Sequence, residues 1–122
     1  RRLLDEASRY EARKYTAVAH KLLAQLAAER GDLAAAEDHL SAAIAQLHTH
    51  PVSVVEWKVY ALLGRVRLRR DDPAGAHEAF GKSAAIVFQI AESVRDLKLR
   101  ETFLDSSAAR EVLAASGALA LV

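Results

Sequence analysis

Apolar residues recur along this chain at steps of three and four, the spacing that gathers side chains on one side of an α-helix. From about Ala12 to Arg30 the inward set reads Ala19, Leu22, Leu23, Leu26 and Ala27. Gly31 then suits the left-handed position that ends a helix, where glycine has no Cβ penalty. Asp32 follows as a cap that accepts from free backbone N–H groups. A helix from Leu33 to about Leu47 carries Leu33, Ala36, Leu40, Ala43, Ile44 and Leu47 on one stripe, and the small Ala36 and Ala43 let a partner helix come close. His48-Thr49-His50-Pro51 reads as a loop, and Ser53 with Glu56 fits a capping box. The next helix runs from about Val54 to Arg70, with Val59, Leu62, Leu63 and Val66 inward. Asp71-Asp72 then repeats the turn of Gly31-Asp32 forty positions on. Asp72 before Pro73 is a strong start signal. Ala76, Phe80, Ala84, Val87, Ala91 and Val94 keep one face apolar for about five turns, which predicts the longest helix of the chain.

The ends are less regular. Arg1 to Arg9 reads as the end of a helix with Leu4 and Ala7 inward, followed by a connection over Tyr10 to Arg13. Ser93 to Asp96 reads as a turn, Leu97 to Leu104 as a short helix with Leu99 and Phe103 on one face, and Asp105-Ser106-Ser107 as the start of another ending near Ala115. Shifted by forty, Leu22, Leu23 and Leu26 fall on Leu62, Leu63 and Val66, and Ala36, Leu40, Ala43 and Leu47 fall on Ala76, Phe80, Ser83 and Val87. Self-similarity at such a period marks stacked helix pairs, each burying the apolar face its neighbour cannot bury alone. The expected organisation is one helical-repeat domain over 1–122. It comprises a helix end over 1–10, repeats over 12–50 and 51–95, capping helices over 96–116 that cover the last apolar face with Phe103, Leu104, Val112 and Leu113, and a tail over 117–122. The chain opens mid-pattern and contains no Met, as expected of a segment of a longer protein.

Composition narrows the picture without changing it. At 122 residues with 52% apolar content and only two Pro and five Gly, an all-α domain with a packed core is expected. Seventeen Lys and Arg against sixteen Asp and Glu leave a net charge near +1, which disfavours direct nucleic-acid binding. The lack of cysteine excludes disulfides, thiol catalysis and Cys-ligated zinc. No apolar run approaches a membrane span and no signal-peptide pattern occurs, so a cytoplasmic setting is expected.

Candidate chemistry is sparse. His48 and His50 flank Thr49 without a third ligand, so no metal site is expected. His20, His39 and His77 read as packing or surface residues. No nucleophile–base pairing, phosphate loop or paired carboxylate is visible, so neither enzymatic activity nor a cofactor is expected. Arg65, Arg67, Arg69 and Arg70 form the densest charge run, but steps of two scatter them over several helix faces. Trp57 and Tyr60, three apart, share a face as packing requires.

Tyr60, Leu63, Gly64, Ala76, Phe80 and, imperfectly, Ser83 resemble the tetratricopeptide repeat. His20, Leu23, Ala24, Ala36, Leu40 and Ala43 form a weaker first copy. The forty-residue period is similar to the longer variant in bacterial MalT-like LuxR regulators and in cyclase-linked or ATPase-linked regulators. Arg13-Lys14-Tyr15, Trp57-Lys58, Leu99 to Leu104 and Ala109 to Leu113 resemble the closing repeats of such proteins. The resemblance implies antiparallel helix pairs stacked as a short right-handed solenoid with a C-terminal capping helix. By it, the first helix of each pair lines a concave surface formed by Lys21, Gln25, Lys58, Ala61, Arg65 and Arg69. The implied role is a non-catalytic protein-interaction module of a signalling or transcription-regulatory protein, binding a protein or acidic peptide partner. The alternative expectation is self-association of the repeats as a homo-oligomer.

Overall fold

The computed structural model describes residues 2–49 and 51–117, with side chains described from Tyr15 onward. Among these residues the structure is all-α, with six helices: α1 (Arg2–Glu29), α2 (Leu33–Thr49), α3 (Ser53–Arg69), α4 (Pro73–Ser93), α5 (Leu97–Asp105) and α6 (Ser107–Ala115). The closest packing joins α1 to α2 and α3 to α4; α2 also lies against α3, and α6 against α4.

The two turns forty residues apart share one hydrogen-bonding scheme. The Gly31 N–H donates to Ala28 O at 3.0 Å and the Asp32 N–H to Ala27 O at 2.9 Å. Their counterparts are Asp71 to Leu68 O at 3.2 Å and Asp72 to Arg67 O at 2.9 Å. These are the paired bonds that close a helix on a left-handed residue. Gly31 has φ 81°, and Asp71 adopts the same region at φ 59°. Asp32 and Asp72 then cap α2 and α4: their carboxylates accept from the Ala35 N–H at 3.1 Å and the Gly75 N–H at 3.0 Å.

Of the two helices between these turns, α3 is the centre of the molecule. Trp57, Val59, Tyr60, Ala61, Leu62, Leu63, Gly64 and Val66 are all buried. One apolar cluster joins α3 to Ala17, Ala24 and Ala28 of α1 and to Ala36, Leu40, Ala43 and Leu47 of α2. A second joins Trp57 and Ala61 to Ala84 and Val87 of α4 and to Ala109, Val112 and Leu113 of α6. Phe103 and Leu104 pack on its margin, with the Phe103 ring edge-on to Trp57 at 6.1 Å. Gly64 lets α4 approach α3, because a Cβ there would lie 2.8 Å from the Phe80 ring. Ser83 is fully buried, and its hydroxyl donates to Trp57 O at 2.6 Å, which satisfies the polar atom inside the core.

Several expectations are corrected. The break over Tyr10 to Arg13 does not exist: α1 is continuous over 28 residues, longer than α4 at 21, so α4 is not the longest helix. That stretch holds no Gly or Pro to end a helix. The face of α1 is also different. Leu22, Leu23 and Leu26 are 52%, 45% and 48% exposed, and Ala19 is exposed as well. Ala17, Ala24 and Ala28 are buried instead, and of the expected inward set only Ala27 packs against the core. The capping box does not form. Val52 is the N-cap, with φ −130° and no side-chain cap bond, which leaves Ser53 as the first helical residue. Finally, α2 continues through Thr49, and on α5 Phe103 packs on the second cluster while Leu99 is 62% exposed. The expected roles of Leu4, Ala7 and His50, and the tail beyond Gly117, lie outside the described residues or side chains.

Candidate functional site

Three helices bring side chains to one groove of about 130 Å³. From α1 come Lys21 and Gln25, four apart and so on one face. From α3 come Trp57, Lys58, Ala61 and Arg65, which follow one side of that helix for two turns. From α6 come Ala108, Glu111 and Val112, which form the opposite wall. Five of the six residues expected on a concave surface therefore meet at a single site.

The sixth, Arg69, does not. One turn beyond Arg65 its guanidinium reaches the end of α1 and donates to Ala28 O at 2.9 Å. That carbonyl, which also accepts from the Gly31 N–H, belongs to the last turn of α1, where the dipole favours a cation. Arg67 and Arg70 are occupied elsewhere too. Arg67 donates to Gly75 O at 3.1 Å, and Arg70 pairs with Glu37 of α2 at 3.2 Å. The basic run thus divides between structure and site, and only Arg65 belongs to the groove.

The groove is cationic with an apolar floor. Lys21, Lys58 and Arg65 face one carboxylate, Glu111, which pairs with Arg65 at 3.3 Å. Partial burial holds the Lys21 ammonium below its ordinary pKa, and the neighbouring Lys58 and Arg65 charges add to this. Beneath the charges lie Trp57, Ala61 and Val112, with the Lys58 ammonium 5.8 Å from the Trp57 ring centre. Such a site can accept carboxylate or other anionic groups by charge-assisted hydrogen bonds and seat a small apolar group beside them. Trp57, Ala108, Glu111 and Val112 were not anticipated as lining residues. Ala108, Glu111 and Val112 carry little signal because α6 falls outside the forty-residue period, and Trp57, on α3, reads from the sequence as a packing residue.

Two histidines sit between helices. His20 and His39 join α1 to α2 through ring nitrogens 3.3 Å apart. His48 is exposed near the end of α2. Among the described residues no group of three or more His, Cys, Asp or Glu is placed to hold a metal, and no helix is long and apolar enough to cross a membrane. Comparison with protein-family models, curated proteins and solved structures finds no match to this chain.

Proposed function

We propose that this chain is a tetratricopeptide-like interaction module that binds an acidic protein segment in the groove between α1, α3 and α6. In this reading the helix pairs α1–α2 and α3–α4 stack as a short right-handed solenoid, capped by α5 and α6, within a bacterial regulatory protein of the cytoplasm. The module is non-catalytic and acts by shape and charge complementarity. One observation carries the proposal: Lys21, Lys58 and Arg65 crowd one partly buried groove against a single carboxylate. Like charges held together out of full solvent are unfavourable, and a carboxylate from a partner relieves that cost.

The test is fluorescence anisotropy with a labelled helical peptide carrying Glu at positions i and i+4, set beside its Gln counterpart. The Glu peptide should bind more tightly, its affinity should fall with added salt, and Lys58→Glu with Arg65→Glu should weaken it at least tenfold. Equal affinity for the two peptides, or no effect of the double substitution, removes the groove as the binding site.

A further inference from the structure

The outward side of α1 carries an apolar seam. Tyr15, Ala19, Leu22 and Leu26 follow one another at steps of four, three and four, the spacing by which one helix meets another along its length. All four are exposed, Tyr15 by 66%. They lie opposite Ala17, Ala24 and Ala28, the residues α1 buries against the rest of the chain. Forty residues on, the same register on α3 reads Val55, Val59, Leu62 and Val66, and there the stripe is packed inside the core formed with α1 and α2. The chain therefore covers this kind of stripe with helices where it can.

We propose that this seam pairs with α1 of a second copy, antiparallel, about a two-fold axis between His20 and Lys21. That register sets Ala19 of each copy against Leu22 of the other, and Tyr15 against Leu26, so small meets large in the middle of the seam. Beside the seam it sets Thr16 against Leu23, and Val18 against Gln25. None of these eight positions is charged, so self-pairing meets no like-charge barrier of the sort that flanking positions use to reject partners. The exposed patch is on the order of 400 Å² per copy, about half of what a standard stable interface buries per partner. The association is accordingly weak and concentration-dependent. It leaves the cations of the groove free, because Lys21 projects well away from the seam, and Gln25 alone borders both surfaces.

Sedimentation equilibrium of the full chain from about 10 μM to about 1 mM should show a reversible monomer–dimer equilibrium. Leu22→Glu replaces an exposed residue, so its circular dichroism and melting should match the parent while its dimer dissociation constant rises at least tenfold. The register has its own test, because the chain lacks cysteine. Ala19→Cys mixed with Leu22→Cys should form a disulfide between copies under mild oxidation, far faster than Ala19→Cys alone. A chain that stays monomeric up to about 1 mM, a Leu22→Glu variant that dimerises unchanged, or equal linking of Ala19→Cys to itself each overturns the proposal. The first of these outcomes leaves the seam to a helix of a different protein segment.

Discussion

Replacing Gly64 by alanine puts a methyl group against the ring of Phe80. The new Cβ would lie 2.8 Å from three ring carbons, and Phe80 is only 4% exposed. Carbon atoms at ease sit about 3.5–4.0 Å apart, so the ring or one helix must retreat by most of an ångström. Overpacking of this kind costs roughly 1–3 kcal/mol. Alanine returns up to about 1 kcal/mol through its better helix propensity, which leaves a net loss of up to about 2 kcal/mol. Gly81 supplies the control. It also lies within a helix, α4, but nothing stands within 4 Å of the position its methyl group would take, so that substitution collects the propensity gain undiluted. Gly81→Ala should therefore stabilise by about 0.5–1 kcal/mol. The pair should differ by roughly 1–3 kcal/mol in urea unfolding followed by circular dichroism, with equal m-values. A Gly64→Ala protein as stable as Gly81→Ala would refute the close approach of α3 and α4 at this point.

Two further outcomes follow from burial and charge. Leu63→Ala should cost about 2–5 kcal/mol, whereas Leu22→Ala, on the open side of α1, should cost well under about 1 kcal/mol; comparable losses in urea unfolding would contradict the assigned faces. The lowered pKa of Lys21 means that the folded state penalises its charged form, and the cost is fully present below the folded pKa. As pH rises through that pKa toward the ordinary value of about 10.5, the unfolded chain holds the proton more tightly and stability rises. Lys21→Gln should remove that contribution, giving a more stable protein at neutral pH and a flatter rise toward pH 10.5 in the urea midpoint; an unchanged profile would show that the site does not penalise this ammonium.

The strongest features of the fold were legible because they are local. Gly31-Asp32 and Asp72-Pro73 act through their own backbone, and both turns form as their residues require. The stripes of α2 and α4 were readable because each has one dominant apolar side, whereas α3 packs against both clusters and buries Trp57, Tyr60 and Ala61 beside its expected stripe. In α1 two stripes compete at the same period, one of leucines and one of alanines. Spacing cannot choose between them, and the alanines are buried because small side chains let α1 approach its neighbours closely. The capping box failed by one residue. Ser53 and Glu56 have the right identities, but Val52 takes the extended conformation a cap needs, so the box has no frame. The tetratricopeptide resemblance is what grouped Lys21, Gln25, Lys58, Ala61 and Arg65, which the structure brings to one groove. It could not foresee that the end of α1 lies within reach of Arg69 and claims it.

The equivalent stripes on α1 and α3 show that burial here belongs to the neighbourhood and not to the residue pattern. Leu62 and Val66 are core residues because α1 and α2 lie over them, while Leu22 and Leu26, in the same register, remain open. Helix α1 therefore presents three surfaces: alanines to the core, the seam outward, and Lys21 with Gln25 to the groove. Lys21 reaches the groove without crossing the seam, and Gln25 borders both. The two proposed interactions can accordingly be broken one at a time. Leu22→Glu places its charge on the seam and leaves the cations of the groove intact. Lys58→Glu with Arg65→Glu alters α3 alone, a helix that contributes nothing to the seam. Loss of peptide binding in the first variant, or of dimerisation in the second, would mean that the two surfaces are coupled through α1.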